Sequence, residues 1–210
     1  MRSEETLATL LGGRRGAADA TLPSLAFVAG WLLVGHSVAW GAAGALGTGA
    51  LLGGWRLRQG ARPHAVLVGM LGVGVAALIA LYTGRAADFF LLQIATNVTS
   101  GLAWAVSIVL RWPLLGVVVG AVLGQKTTWR RDPDLLRAYS RASWVWVGQY
   151  AVRVAVLTPL WYADQPVALA VARAALTWPL VVACLAASWW VLRRCLPADH
   201  PGLRHPRPAP

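Results

Sequence analysis

The chain of 210 residues is 57% apolar and only 13% charged, whereas a soluble domain usually carries about 25% charged residues. A soluble core of this size could not cover so much apolar surface, so we exclude a water-soluble domain and expect lipid to solvate much of the chain. The net charge of +11 would also suit a nucleic-acid-binding protein. The basic residues flank apolar stretches, however, so we expect anionic lipids as partners and no nucleic acid.

The chain begins with a short amphipathic pattern. Residues 3–12 place Leu7, Leu10 and Leu11 on one face, which predicts a helix lying on the cytoplasmic surface of the membrane. We therefore assign residues 1–20 to a cytoplasmic N-terminal segment.

Seven apolar stretches follow, and six of them are predicted to cross the membrane. A perpendicular span takes about 20 residues, with about 17 as the lower limit. The region 22–55 is long enough for two short helices if Gly35-His36-Ser37 turns the chain between them. The stretches are roughly 22–35, 37–55, 64–83, 88–110, 113–124, 144–163 and 167–192.

The fifth stretch, 113–124, is too short to cross, and it predicts a re-entrant or interfacial helix. If it crossed, the basic loops 56–62 and 126–141 would lie on opposite sides, against the positive-inside rule. If it does not cross, every strongly basic loop and both termini are cytoplasmic. The sequence therefore predicts an all-α polytopic transmembrane helix bundle over 21–194 with about six spanning helices. A Pro-rich tail over 195–210 is predicted to be disordered and cytoplasmic.

Tryptophan residues support these boundaries. Amphipathic rings favour the interface between membrane and water, so we expect tryptophans at helix ends. Those at predicted ends are Trp55, Trp112, Trp129, Trp161, Trp189 and Trp190.

The fourth apolar stretch carries a polar stripe. Gln93, Thr96, Asn97 and Ser100 have the i, i+3, i+4, i+7 spacing of a single helical face. In a membrane, such a face is expected to point into the bundle.

Two arginines lie inside apolar stretches. Arg153 follows Gln149 by one helical turn and lies about nine residues, or about 13 Å, from the cytoplasmic start of its stretch. Because a charge at the bilayer centre costs at least about 2.5–3.5 kcal/mol, it usually faces the bundle interior. Arg153 would bind a phosphate, a carboxylate or a lipid headgroup, or else tether helices through amide oxygens. Arg173 would reach outward, or pair with Asp88 or Asp164.

These polar faces define the predicted ligand-binding site near the middle of the membrane. Its residues are Gln93, Thr96, Asn97, Gln149, Arg153 and Arg173.

Glycines at four-residue spacing form two further patterns. Gly116, Gly120 and Gly124 lie in the short fifth stretch, and Gly49 and Gly53 lie in the second. Such spacing lets helix backbones approach closely. We expect packing within the chain, and the alternative is the seam of a homodimer.

The sequence offers no set of catalytic residues. No Ser/His/Asp arrangement, carboxylate pair or phosphate-binding glycine loop is evident, so we predict no enzyme activity. The histidines lack the spacing of a haem or zinc site, and the two cysteines, Cys184 and Cys195, form no metal-ligand pattern. We expect neither a cofactor nor a bound metal.

Several segments resemble the actinobacterial membrane proteins of domain of unknown function 3159. The likeness covers about residues 3–194, and it implies the fold and a bacterial inner-membrane location, but no activity and no catalytic residue. The segments that carry it are Asp19 to Phe27, Gly84 to Phe90, Arg111 to Leu114, Gly124 through Trp129 to Pro133, and Tyr139 to Trp146.

A more distant similarity is to the intracellular septation protein A family. It rests on the order Leu22-Pro23, then Arg111-Trp112-Pro113-Leu114, then a Trp-rich sixth helix. That family is implicated in envelope maintenance and division, which implies a membrane protein that acts through partners.

Two functions are therefore expected. The first is the binding or movement of an anionic or amphiphilic small molecule, such as a lipid, through the polar site. The second is a non-transporting envelope or division protein. Transport predicts a water-accessible cavity lined by the fourth, sixth and seventh helices, whereas a scaffold predicts a dry bundle whose polar groups bond to each other.

Overall fold

The computed structural model describes residues 13–125, 127–197, 200–203 and 207, with side chains from residue 21 onward. In this part the chain is all-α, without strands, and the amphipathic helix predicted at 3–12 lies outside it. The α-helices are α1 (Gly13–Leu33), α2 (Val38–Arg58), α3 (Pro63–Thr83), α4 (Leu91–Val109), α5 (Leu114–Val122), α6 (Pro133–Tyr162) and α7 (Pro166–Cys195). Two 3-10 helices span Ala86–Phe90 and Thr128–Arg131.

The turn predicted between the first two apolar helices is present. Gly35 and His36 have φ values of +59° and +61°, in the left-handed region that glycine enters readily and histidine enters rarely. The backbone N–H of Ser37 donates to the carbonyl of Val34 at 3.1 Å and closes the turn. Helix α1 begins at Gly13, before the apolar stretch that predicted it.

Proline and glycine mark several helix boundaries. Helices α3, α6 and α7 begin at Pro63, Pro133 and Pro166, because proline has no N–H to leave unpaired in the first turn. Helix α3 ends where Gly84, at φ +71°, donates its N–H to the carbonyl of Ala80. Helix α6 starts well before the predicted apolar stretch at 144, so part of the predicted basic loop 126–141 is helical.

The predicted short helix is also present. Helix α5 has nine residues, which at 1.5 Å per residue gives about 14 Å, less than half of a bilayer core of about 30 Å. Pro113 precedes it, and Gly124 turns the chain after it with φ +68°.

Among the described residues, three helical segments are long and apolar enough to cross a membrane: Pro63–Thr83, Ala86–Val109 and Pro166–Cys195. This is fewer than the six predicted. Helix α2 is rich in glycine, which lowers its hydropathy, and α6 carries charged side chains in its first turns. In the three segments, only 22%, 17% and 17% of the most apolar windows are buried. Apolar side chains that face outward on this scale indicate a membrane protein.

Chain contacts divide the molecule into two compact units. The first unit comprises Met1–Ile94 and Val156–Trp178. Its buried apolar core includes Phe27, Phe89 and Phe90 together with many alanines, and the rings of Phe27 and Phe89 stack with centroids 4.1 Å apart.

Small residues bring α1 and α2 together in this unit. A Cβ atom added at Gly30 would lie 2.5 Å from the carbonyl oxygen of Trp40, and one at Gly44 would lie 2.7 Å from that of Ala26. Only glycine permits such an approach of two backbones.

The second unit comprises Ala95–Ala155 and Pro179–Pro210. Its apolar core surrounds Trp129 and Tyr139, whose rings meet edge to face with centroids 5.5 Å apart. Trp129 is 0% exposed, so the prediction that it anchors the chain at the membrane surface is wrong. The ring instead fills the space that Gly116 leaves beside α5.

Candidate functional site

Helices α4 and α6 lie antiparallel in the second unit. Trp104 stacks on Trp146 with ring centroids 5.1 Å apart, and a Cβ atom added at Gly101 would lie 3.2 Å from Cβ of Tyr150. The step from Trp104 back to Gly101 on α4 therefore corresponds to the step from Trp146 forward to Tyr150 on α6, about one helical turn. One further turn in each direction leads to Asn97 and Arg153, which therefore lie at about the same level of the helix pair.

Two buried amides on this helix pair each have one atom without a hydrogen-bonding partner in the described part of the chain. Asn97 is 2% exposed and Gln149 is 4% exposed. The atoms are the amide nitrogen Nδ2 of Asn97 and the amide oxygen Oε1 of Gln149. Because an unpaired buried polar group costs about 1–3 kcal/mol, such groups usually serve water or a ligand.

Arg153 adds positive charge to the same pair of helices. Its side chain is half-buried, and a guanidinium group presents five N–H donors in a planar fork that fits carboxylate and phosphate oxygens. The Asn97 amide nitrogen is a further donor at the same level of the helix pair. This combination of donors suits the oxygen atoms of an anion.

The structure separates the six predicted site residues. Asn97, Gln149, Arg153 and Thr96 belong to the second unit, and the Thr96 side chain is exposed while that of Asn97 is buried. The other two predicted residues, Gln93 and Arg173, belong to the first unit.

Arg173 has a defined partner within the first unit. Its Nη1 donates to the hydroxyl of Ser24 at 2.7 Å, and Ser24 is only 2% exposed. The Thr177 hydroxyl donates to the Arg173 carbonyl at 2.6 Å. The bond to Ser24 links α7 to α1, whereas the sequence analysis expected Arg173 to reach outward or to pair with Asp88 or Asp164.

The acidic residues considered as partners of Arg173 contact another arginine, which the sequence analysis did not single out. Arg85 lies 3.8 Å from a carboxylate oxygen of Asp88 and 3.8 Å from one of Asp164. The indole N–H of Trp161 donates to the buried Asp88 carboxylate at 2.7 Å. Trp161 is therefore held by a hydrogen bond at this end of the first unit.

The five glycines of the spacing patterns have different surroundings. A Cβ atom at Gly116 would lie 2.7 Å from the Trp129 ring, and one at Gly53 would lie 3.1 Å from Val66. Gly49 makes an ordinary contact, 3.8 Å from Val73, and Gly120 is buried. Gly124 differs from the prediction, because a Cβ there would meet nothing within 4 Å and its φ of +68° serves the turn.

A buried carboxylate that the sequence analysis did not single out organises the start of α6. Asp132 accepts hydrogen bonds from the backbone N–H groups of Asp134 and Leu135 at 3.0 and 3.2 Å. Its second oxygen accepts from His200 Nε2 at 2.9 Å and from the backbone N–H of Arg207 at 2.8 Å. The Asp132 and His200 side chains are 0% and 1% exposed.

These contacts set the charge state of Asp132. Burial alone would raise the pKa of this carboxyl group, but the hydrogen bonds from Arg207, His200, Leu135 and Asp134 outweigh burial and lower it below its ordinary value of 3.8. An aspartate directly before a proline at the start of a helix is a signature of an N-cap residue, so the sequence contained the signal for this role.

The tail also contacts the loop after α5. Gln125 Nε2 donates to the Leu203 carbonyl at 2.7 Å, and the Gly202 N–H donates to His200 Nδ1 at 3.0 Å. The sequence analysis predicted a disordered tail over residues 195–210 and did not anticipate these contacts. Residues 198–199, 204–206 and 208–210 lie outside the described part of the chain.

The comparisons with known proteins identify a family. No curated protein and no solved structure matches the chain. The model of one family, described as a protein of unknown function (DUF3159), matches residues 11–199. This range covers nearly the whole chain, including Asn97, Gln149 and Arg153. The chain therefore belongs to the DUF3159 family of proteins of unknown function.

Proposed function

We propose that this is a bacterial inner-membrane protein that binds or translocates an anionic or amphiphilic small molecule at Arg153 and Asn97. The observation that carries the proposal is the buried Asn97 amide nitrogen, which has no hydrogen-bonding partner among the described residues and lies at the level of Arg153. A ligand that supplies oxygen acceptors would satisfy this amide and meet the guanidinium charge.

The proposal includes six spanning helices with both termini in the cytoplasm. Apart from α5, every described α-helix has at least 19 residues, which exceeds the lower limit of about 17 for a span. In this topology the basic loop 56–62, the region 126–141 and the tail are all cytoplasmic, as the positive-inside rule requires. Arg85 would lie outside, where Asp88 and Asp164 offset its charge.

The surroundings of the site suit an amphiphile as well as a soluble anion. Val98 and Leu102 on α4 are 40% and 60% exposed, and Val152 on α6 is 43% exposed. These side chains would face lipid tails. The headgroup of an anionic lipid could therefore reach Arg153 while its acyl chains remained in the bilayer.

The alternative function, an envelope or division protein that only binds partners, predicts polar groups that bond to each other inside a dry bundle. Asn97 Nδ2 and Gln149 Oε1 lack hydrogen-bonding partners in the described ranges of the chain, which supports a ligand site instead.

A thermal-shift experiment in detergent tests the proposal. Phosphate, small carboxylates and phosphatidylglycerol are added to the wild type, Arg153→Gln and Arg153→Lys. A ligand at 100 times its Kd stabilises by about 2.7 kcal/mol, or a Tm increase of about 5–10 °C for a chain of this size. We expect this increase in the wild type, a smaller one in Arg153→Lys and none in Arg153→Gln, because lysine keeps the charge without the planar fork.

Arg173→Gln is the matched control. It removes an arginine from a membrane helix, but the side chain it removes is held by Ser24. Its Tm should fall, yet the increase with anions should persist. An equal response of the wild type and Arg153→Gln to every anion would eliminate the site.

A further inference from the structure

A line of buried polar residues follows α6 through the second unit. Tyr139, Ser143, Gln149 and Arg153 lie within an arc of about 120° around the helix axis, at 100° per residue. Tyr139 and Ser143 are 0% exposed, and Gln149 is 4% exposed. At 1.5 Å per residue, the line from Tyr139 to Arg153 is about 21 Å long.

Three atoms along this line have no hydrogen-bonding partner within the part of the chain that the structure describes. They are the Tyr139 hydroxyl oxygen, the Ser143 hydroxyl oxygen and the Gln149 amide oxygen. Nearby Ala138 is equally buried, at 0% exposed, but it lies outside this arc, about 140° from Ser143 around the helix axis, and brings no polar group. A buried polar atom without a protein partner costs little free energy only if water reaches it, because a buried water molecule makes two to four hydrogen bonds to such atoms.

We infer that a file of water molecules runs along α6 from Tyr139 to Arg153 and gives soluble phosphate or carboxylate access to the site from the cytoplasmic side. This inference rests on the proposed function, which places the anion at Arg153 and the start of α6 in the cytoplasm.

The side chains around the file are consistent with passage of a small anion. The Tyr139 hydroxyl can donate a hydrogen bond to water or to an anion. The Trp146 ring is fixed between Trp104, on which it stacks, and Ser188, to which its N–H donates at 3.1 Å. A fixed ring at this point limits the width of the path, which favours water and small solutes over a lipid headgroup.

Cysteine accessibility tests the path. Ser143→Cys and Ala138→Cys are made in a background of Cys184→Ala and Cys195→Ser, with folding checked by size-exclusion profile and Tm. An anionic methanethiosulfonate reagent is then added to inverted and to right-side-out membrane vesicles. In inverted vesicles we expect Ser143→Cys to react at least tenfold faster than Ala138→Cys. Equally slow reaction at both positions, or reaction of Ser143→Cys only in right-side-out vesicles, would overturn the inference.

Adding Arg153→Gln to the Ser143→Cys protein separates this inference from the proposed function. With Arg153 present, the anionic reagent should react faster than a cationic one, and the Gln substitution should remove that preference while reaction persists. Reaction without any preference would support the path and contradict the anion site. An Arg153-dependent thermal shift combined with an unreactive Ser143→Cys would support the site and contradict the path.

Hydroxyl-radical footprinting of the wild type avoids substitutions altogether. Bound water generates radicals locally, so Tyr139 should be oxidised although its ring is buried, because its hydroxyl would contact the file. Phe27, also 0% exposed but without a polar atom, should not be oxidised. Equal protection of both rings would overturn the inference even if the cysteine variants failed to fold.

Discussion

At the scale of single residues, Asp132 joins parts of the chain that are far apart in sequence. It caps the first turn of α6 and holds His200 and the backbone of Arg207 at its other oxygen. Gly202 donates to His200 Nδ1, so the proton shared with Asp132 lies on Nε2. The charged form of Asp132 is therefore the one that the fold stabilises.

Replacing Asp132 by Asn keeps a capping side chain but removes this charge. Hydrogen bonds to a charged group contribute about 1.5–3 kcal/mol, so we expect Asp132→Asn to lower the free energy of unfolding by about that amount at neutral pH. Thermal melts in detergent measure the change. Asp134→Asn is the control, because Asp134 contacts Arg137 and Arg207 only at 3.6 and 3.9 Å and is 25% exposed. It should cost less than about 1 kcal/mol.

The pH dependence has a defined sign. Because the pKa of Asp132 in the fold lies below the ordinary value of 3.8, its contribution is complete above that pH and is lost as the pH falls toward the lowered pKa. The wild type should therefore lose more stability on acidification below pH 3.8 than Asp132→Asn does. Parallel losses in the two proteins would contradict this role.

At the scale of helices, α5 is held at its N-terminal end and on one face. The Ser107 hydroxyl accepts from the N–H of Leu114, the first residue of α5, at 3.3 Å. The buried Trp129 ring lies against the backbone at Gly116. A nine-residue helix depends on such contacts because its own hydrogen bonds are few.

Gly116→Ala tests the contact between α5 and Trp129. The added methyl group would lie 2.7 Å from ring atoms that are buried against Tyr139 and cannot withdraw freely, so we expect a loss of about 1–3 kcal/mol in the free energy of unfolding. Gly148→Ala on α6 is the control, because nothing lies within 4 Å of its added Cβ. It should leave stability unchanged or raise it by up to about 1 kcal/mol. Equal effects of both changes on Tm would contradict the packing.

Hydropathy predicted helices well where polar residues sharply bound a continuous apolar stretch. The stretch 64–83 corresponds to α3, and 167–192 lies within α7. The first turns of α6 were missed because residues 133–143 are helical but not apolar. Trp129 was assigned to the membrane surface because composition alone cannot distinguish an interfacial ring from a core ring at a helix end.

For the candidate site, the sequence predicted the positions of residues along single helices but not the contacts between helices. Face and depth arguments placed Asn97 and Arg153 at one level, and the contacts between α4 and α6 agree with that register. The bond of Arg173 to Ser24 depends on which helices are neighbours. The partners of Asp132 lie up to 75 residues away in the chain, and no local pattern specifies them.

At the scale of the whole molecule, the exposed apolar side chains and the positions of the basic loops along the chain are both those expected of a membrane protein. Large apolar side chains such as Tyr82 and Leu33 are 94% and 84% exposed, as expected for helices that contact lipid. The basic loops are separated along the chain by pairs of long helices, which lets all of them lie on one side. The depth of Arg153 and the direction of the water path both depend on this topology.

Labelling of single cysteines from each side of the membrane tests the topology most directly. Arg137→Cys, whose native side chain is 70% exposed on α6, and Ala163→Cys, exposed between α6 and α7, are made without the native cysteines. With an impermeant maleimide, Ala163→Cys should be labelled on intact cells and Arg137→Cys only in inverted vesicles. Labelling of Arg137→Cys on intact cells would contradict the account.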